Sequence, residues 1–458
     1  MSQVSSIIRP ASADAAVSVA ISTADQFRAL ILSLVAFTIS FAVWTVFGIV
    51  GLSLQGELGL NQTEFGLLVA LPVLTGSISR PLLGICTDRY GGRGVFALTM
   101  LASAACAFAL PYAGGYLTLL GLGLGLGLAG GTFAIGIAYV SRWFPQERQG
   151  TALGIFGAGT IGAALTIFFA PFVMVAFGWT AVVQSWAVVL AATAVLFWLV
   201  AKDDPARAER RRTGAATMSL ATQLAPLRKL QVWRFGLYYF LTFGGFVALS
   251  LWLPRYYVGV YHLDITTAGM LATAFSLPAG GFRALGGWLA DRFGARRVMY
   301  WTFGCAVLVT FVLSYPATDY IVHGINRNIT FTFAIGFVPF AALTALLGIF
   351  LAFGMGAVYK HIPHYYPQHI GPVGGVVGMI GGLGGFVLPV AFGAMNDLVG
   401  VWTSCFMLLF LIAVTNITWM HFAIRRMERK VAPQLYGPHH LPELEELEMA
   451  GRSAIPEL

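Results

Sequence analysis

Long apolar runs separated by short polar breaks fill the chain between residues 29 and 423. A helix needs about 20 mostly apolar residues to cross the hydrocarbon core of a bilayer. Runs of about that length lie near 29–54, 63–85, 95–112, 116–141, 150–175, 180–200, 235–259, 266–289, 298–315, 335–358, 371–395 and 402–423, which predicts twelve membrane-spanning helices. Between the ninth and tenth, residues 316–334 read as a loop running into an apolar segment. The longest polar interruption within this region, about 202–233, contains Asp203, Asp204, Arg210, Arg211 and Arg212. It separates a six-helix bundle over 29–201 from a second over 234–423, with tails at 1–28 and 424–458. The predicted fold is an all-α membrane protein of two similar bundles.

Composition agrees with this pattern. Hydrophobic residues make up 58% of the chain and charged residues only 10%, against about 25% charged in soluble domains. So few charges cannot cover a globule, and lipid is the expected partner of the surface. The net charge of +8 does not indicate nucleic acid, because the basic residues sit in short clusters between apolar runs. Of the 27 Lys and Arg, all but Arg80, Arg255, Arg283 and Arg327 fall in the tails and in the loops on their side. The positive-inside rule then places both termini in the cytoplasm, in a bacterial inner membrane. Residues 1–27 lack a basic start followed by an apolar core, so no cleavable signal peptide is predicted. The cysteines (Cys86, Cys106, Cys305, Cys405) are scattered and form no CxxC pair, which argues against a disulfide framework or metal site. The C-terminal tail opens basic, with Arg425, Arg426, Arg429 and Lys430, and ends acidic; it reads as a solvated tail.

The two bundles echo each other. Arg80-x3-Gly84-x3-Asp88-Arg89-x-Gly91-x-Arg93 recurs, at a constant offset, as Arg283-x3-Gly287-x3-Asp291-Arg292-x-Gly294-x-Arg296. Gly150-x3-Gly154-x2-Gly157 is likewise echoed by Gly374-x3-Gly378-x2-Gly381. Paired repeats of this kind build transporters with a midplane site between halves. The Asp-Arg-x-Gly element resembles the loop between helices two and three of the major facilitator superfamily, and its copy between eight and nine. That resemblance implies a conformational latch at the cytoplasmic helix ends, made of Gly84, Asp88, Arg89, Arg93, Gly287, Asp291, Arg292 and Arg296. It says nothing about cargo.

Two charges lie deep inside predicted spans. Arg80 and Arg283 each precede a loop aspartate by eight residues, about 12 Å of helix rise. Half the hydrocarbon core is about 15 Å, so both guanidiniums fall near the midplane, one from each half. An arginine there costs at least about 2.5–3.5 kcal/mol. The ordinary explanation, a structural partner carboxylate, has no candidate: all 19 acidic residues lie in loops, tails or span ends. A doubly positive cavity instead calls for a mobile anion. The planar fork of arginine suits a flat oxyanion, to which it can donate two parallel hydrogen bonds.

The fifth span reads Gly154-Ile-Phe-Gly157-Ala-Gly159-Thr160-Ile-Gly162, and the eleventh GMIGGLGGF at 378–386, followed by Pro389. Glycine lets helix backbones approach and narrows a cavity to ion size. With Arg80 and Arg283, these segments resemble the paired signatures of the nitrate/nitrite porter family within the superfamily, over about residues 29–423. The resemblance implies that the two arginines bind nitrate or nitrite beside Gly157, Gly159, Gly381, Gly382 and Gly384. It also implies flanking aromatics, and local motif matches give Phe47, Phe133 and Tyr239. One departure is Thr160, which the resemblance also places at the anion and where the family commonly has asparagine; threonine keeps a hydroxyl but loses an amide donor, and is expected to tune selectivity between nitrate and nitrite. Lys360, at the end of the tenth span, is expected to add positive charge to the cavity. His361, His364 and His369, with Tyr365 and Tyr366, lie in a proline-rich loop without fixed ligand geometry, and no metal or other cofactor is expected.

The resemblance therefore implies a major-facilitator transporter of nitrate, with nitrite second, working by alternating access without covalent chemistry. The fifth-span run looks like the proton-symport branch of the family, so protons are the expected co-substrate. Against that, no Asp, Glu or His lies at mid-membrane. Two unpaired arginines also resist reorienting without an anion, which favours nitrate/nitrite exchange as the alternative. A porter for phosphate or an organic acid fits the glycine signatures less well. A membrane enzyme or sensor would need a nucleophile, base or ligand cluster in the spans, and the sequence offers none.

Overall fold

A computed structural model describes residues 22–203, 229–365 and 370–431. Most of the two tails and of the linker between bundles therefore lie outside the described residues, as do Tyr366 and His369.

The described chain forms twelve spans. The first is Thr23–Trp44 continued by Phe47–Leu58; the second is Gln62–Tyr90 and the third Gly92–Ala109. The fourth joins Tyr116–Leu126 to Thr132–Ser141 through a tight 3-10 turn at Gly127–Gly131. The fifth starts as Gln146–Gly157, passes a similar turn at Ala158–Ile161, and resumes at Gly162. The helix Gly162–Val200 holds the rest of the fifth span and all of the sixth, turning at Gly178 (φ 83°). That left-handed φ is one a side chain disfavours. The seventh joins Leu230–Tyr239 to Gly245–Tyr261 through a π turn at Phe240–Gly244. The eighth is Ile265–Gly281 and Arg283–Phe293, pieces of 17 and 11 residues that are each too short to cross alone. Ala295–Leu313, Phe337–Tyr365, Ile370–Val399 and Ser404–Val431 complete the set.

Local chemistry sets many of these boundaries. Asn61 and Glu64 form a reciprocal capping box that starts the second span, satisfying amides that a helix N-terminus leaves unpaired. Asp264 caps the eighth by accepting from the Thr267 amide at 2.9 Å. Gly91 (φ 92°) and Gly294 (φ 86°) end the second and eighth spans at equivalent points. The repeated glycine of the Asp-Arg-x-Gly motif is thus a backbone requirement.

The stretch 316–334 departs from the all-α expectation. Thr318–His323 and Asn328–Phe333 pair antiparallel as a two-stranded hairpin between the ninth and tenth spans. Its second strand, Asn-Ile-Thr-Phe-Thr-Phe, alternates apolar with polar residues, a period-2 signal that a span-by-span reading passes over.

The halves meet mainly through two pairs of spans that the repeat exchanges, with the first span also packed on the seventh, where Gly48 faces Leu251. In one, the second span packs on the eleventh. Gly66 faces the Pro389 carbonyl, Gly382 faces Ser77, and Gly393 faces the Gln62 carbonyl, each with no room for a Cβ. In the other, the fifth packs on the eighth, and a Cβ on Gly280 would lie 2.9 Å from the Ile161 amide. The carboxylate of Asp397 closes the first seam, accepting from the backbone amides of Gln62 (3.2 Å) and Thr63 (2.7 Å) and from the Thr63 hydroxyl (2.5 Å). Chain direction puts this clasp on the face opposite the termini. Toward the termini, positions 84, 287 and 375 have nothing within 4 Å of a built Cβ.

Candidate functional site

The second span carries Arg80 to the seam between halves, where it is 3% exposed. Its Nη1 donates to the carbonyl of Gly378 on the eleventh span at 2.6 Å. Arg283 opens the second piece of the eighth span and is 8% exposed. It lies against the fifth span, where a Cβ on Gly157 would be 3.5 Å from its Nε. Each arginine thus crosses to a glycine of the opposite half; the spans involved are related by the repeat, but Gly378 corresponds to Gly154, so the two contacts fall about one helical turn apart.

Both guanidiniums approach one ring. The Cζ of Arg80 lies 5.2 Å, and that of Arg283 5.4 Å, from the centre of Phe133. Phe243 adds a second ring to Arg80 at 5.3 Å. Tyr359 and Tyr239 flank Arg283 at 5.2 and 5.9 Å. Tyr239 stacks on Phe243 with 5.1 Å between centres, which joins the rings into a continuous wall. Such contacts fall within the range where a ring face attracts a cation. They do not neutralise charge. Among the described residues, Arg80 and Arg283 are the only buried side chains of formal charge, and neither has an acidic partner. Arg80 Nε and Arg283 Nη1 are buried with no protein acceptor. Two like charges in a low-dielectric seam, with donors to spare, suit a small planar anion held between aromatic faces.

The glycines serve this geometry in different ways. A Cβ on Gly378 would lie 3.6 Å, and one on Gly382 3.5 Å, from Arg80 Nη1. Gly381 makes room for the Tyr239 ring, where a Cβ would collide. Gly384 packs on the Phe240 carbonyl and Gly244 of the seventh span, a seam within one half. Gly159 admits the Phe37 ring, which packs at a tilt behind Phe133 with 5.4 Å between centres. Thr160 is fully buried, and its hydroxyl lies 3.1 Å from the carbonyls of Gly157 and Gly280. It therefore bridges the fifth span to the eighth, from one half to the other.

Two expected site members lie elsewhere. Phe47 is buried against the fourth span, with its ring 3.5 Å from a Cβ built on Gly123. The first-span rings that reach the cluster are Phe37, against Phe133, and Phe41, edge-on to Phe243 at 6.5 Å; Phe37 lies ten residues before Phe47. Lys360 does not enter the cavity: it is about half exposed and pairs with Asp291 of the second latch. Its neighbour Tyr359 takes the inward place, because successive helical residues point about 100° apart. Tyr359, Phe243, Ser77 and Gly378 are the site residues that motif matching did not select. Ser77 was legible as the residue one turn before Arg80, and Phe243 as the residue one turn after Tyr239.

Among the described residues, the latch arginines make their contacts within their own half. Arg93 Nε donates to the Trp198 carbonyl at 2.7 Å, and its guanidinium covers that indole. Arg89 covers Tyr90, and Arg292 covers Trp288. Arg296 donates to the Tyr365 hydroxyl at 3.0 Å and faces Glu428 at 4.0 Å. The side chains of Asp88 and His364 lie outside the described residues.

Comparison with known proteins agrees with this architecture. Residues 32–338 match the Major Facilitator Superfamily. A "Probable nitrate/nitrite antiporter NarK1" from Thermus thermophilus is 40% identical, over 91% of this chain and 96% of its own length. A "Nitrite extrusion protein" from Bacillus subtilis is 31% identical, over 86% and 93%. A "Probable nitrate/nitrite transporter NarK2" from Mycobacterium tuberculosis is also 31% identical, over 81% and 90%. Among solved structures, a bacterial homologue of the human lysosomal transporter Spinster shares the fold, with TM-score 0.66 at 15% identity over 88% of this chain and 98% of that one. The chain is a multi-pass membrane protein of the major facilitator superfamily and belongs, within it, to the nitrate/nitrite porter family.

Proposed function

We infer that this protein carries nitrate, and nitrite as a second substrate, across the bacterial cytoplasmic membrane by alternating access around Arg80 and Arg283. The carrying observation is that both guanidiniums are buried around the single ring of Phe133 with no acidic partner. A flat monovalent oxyanion fits between ring faces and takes the spare donors; a tetrahedral phosphate would not lie flat against them. The names of the relatives support the same cargo. The seam is closed opposite the termini, whereas toward the termini Cβ atoms built at positions 84, 287 and 375 meet open space. With both termini assigned to the cytoplasm by the distribution of basic residues, this is a state open to the inside. Substrate release and rebinding then use the cytoplasmic face, and reopening to the outside breaks the Asp397 clasp.

For coupling, one observation favours nitrate/nitrite exchange over the proton symport expected from the fifth-span run. No Asp, Glu or His is among the described buried residues. Among the described residues no buried carboxylate or imidazole is available to carry a proton, and two uncompensated guanidiniums oppose reorientation unless an anion occupies the site on both strokes. The test uses sealed vesicles holding the purified protein. Nitrate uptake should appear once nitrite is loaded inside and should ignore an imposed proton gradient. Gradient-driven uptake into vesicles free of both anions would replace exchange with symport. Absence of nitrate and nitrite flux in every configuration would overturn the substrate itself.

A further inference from the structure

The hairpin between the ninth and tenth spans has two unlike faces. Register pairs Tyr320 with Phe331, Val322 with Ile329 and Thr318 with Phe333. Side chains alternate across a strand, so Tyr320, Val322, Ile329, Phe331 and Phe333 share one face. Each is between 36% and 51% exposed. Tyr320 and Phe331 stack with 5.3 Å between ring centres. The other face carries Asp319, Thr330, Thr332, His323 and Asn328, with Ile321 its one large apolar member. That polar face is tied together: Thr332 donates to Asp319 at 2.6 Å, and His323 meets Asn328 at 3.0 Å.

A two-stranded hairpin is marginal in water by itself, and this one leaves its apolar face about half exposed. Its attachment says what covers it. Leu313 ends the ninth span just before Thr318, and Phe337 starts the tenth just after Phe333. The hairpin base is therefore held at the bilayer surface. Phe333 packs edge-on against Tyr315 at 5.4 Å. Below Tyr315 the ninth span exposes Leu308, Phe311 and Val312, and the tenth begins with exposed Phe337 and Val338. The apolar face of the hairpin thus continues the lipid-facing surface of both spans.

We propose that this hairpin lies flat on the membrane surface opposite the termini, with Tyr320, Val322, Ile329, Phe331 and Phe333 set among the lipids. The open strand edges still need water, which restricts the hairpin to the interfacial zone and keeps it out of the hydrocarbon core. Aromatic side chains favour that depth. The occupant is the bilayer, because the face is continuous with surface that lipid already covers. A second copy of the chain is the competing occupant.

The full wild-type chain in phosphatidylcholine vesicles allows the test by hydroxyl-radical footprinting. Tyr320, Phe331 and Phe333 should be modified several-fold less than their exposure in the free protein predicts, while His323 on the opposite face reacts fully. The protection should persist when vesicles hold one protein each. Protection that vanishes on such dilution would assign the face to a second copy and overturn the proposal. Equal reaction on both faces would place the hairpin upright in water and overturn it as well. An independent reading comes from an environment-sensitive probe at Phe331→Cys or Thr330→Cys, in a background where the four native cysteines are replaced. A nitroxide on the lipid acyl chain near the headgroup should quench the probe at 331 several-fold more than that at 330; equal quenching would contradict the flat arrangement. Neither readout depends on which anion is carried.

Discussion

Arg80 donates from Nη1 to the carbonyl of Gly378 at 2.6 Å, and so joins the second span of one half to the eleventh span of the other. The same group that faces the proposed anion is therefore part of the seam that must part during transport. On the proposed reading of the site, anion occupancy and contact between the halves are coupled through one guanidinium.

Arg80→Lys and Arg283→Lys should each weaken nitrate binding at least about tenfold, since a charge-assisted hydrogen bond contributes roughly 1.5–3 kcal/mol and tenfold in affinity is 1.4 kcal/mol. An ammonium keeps the charge but loses the planar two-point contact. Titration of nitrate against purified, well-folded variants checks this. Near-normal affinity in either would remove the clamp from the account.

The glycines should sort by what their Cβ would meet. Gly381→Ala drives a methyl into the Tyr239 ring, and Gly382→Ala drives one into Ser77 beside Arg80. Overpacking of that kind costs about 1–3 kcal/mol, and both variants should lose most transport. Gly154→Ala and Gly121→Ala meet nothing within 4 Å and should transport normally. Initial rates normalised to membrane protein separate the two groups. Loss of function in the second pair would mean that those positions close against the other half later in the cycle.

Thr160→Val keeps the side-chain shape and deletes a hydroxyl placed 3.1 Å from the Gly280 carbonyl. One buried hydrogen bond contributes about 0.5–1.5 kcal/mol, so melting temperature should fall while the ratio of nitrate to nitrite affinity stays constant. A changed ratio with unchanged stability would return Thr160 to the anion, the role its place in the fifth-span signature implied.

Asp397→Ala removes the acceptor that holds the start of the second span. Even about 1.4 kcal/mol lost from the closed seam shifts its population tenfold. Cysteines placed on the face opposite the termini should then react faster with an impermeant reagent. Asp397→Asn, which keeps one carbonyl acceptor, should fall between. Unchanged reactivity in the alanine variant would show that glycine packing alone keeps that face shut.

Twelve spans, two bundles and two midplane arginines were legible because each is written locally. Apolar run length reports span number, and eight residues of helix fix how deep Arg80 and Arg283 sit. The repeated Gly91 and Gly294 were legible as motif members, although their positive φ was not. The hairpin was missed because its alternation is brief and lies between much stronger span signals.

The aromatic wall was only partly legible. Phe133 and Tyr239 were found by motif, whereas Phe47 and Lys360 were placed wrongly and Tyr359, Phe243 and Phe37 were not placed at all. A helical pattern tells which residues share a face but not which partner helix that face meets. Rotation by one residue exchanges Lys360 for Tyr359. A helix break after Trp44 leaves Phe47 against Gly123 while Phe37 meets Phe133.

The sequence by itself determined that this chain crosses a membrane, folds as a duplicated bundle and buries two arginines with no acid within the spans. Those are matters of hydrophobicity, period and charge, which act through neighbours along the chain. Only the tertiary structure decided that Arg80 reaches Gly378, that Arg283 rests on Gly157 and that both share the ring of Phe133. Those contacts join helices far apart in sequence, and their geometry depends on how closely glycine seams let two halves approach.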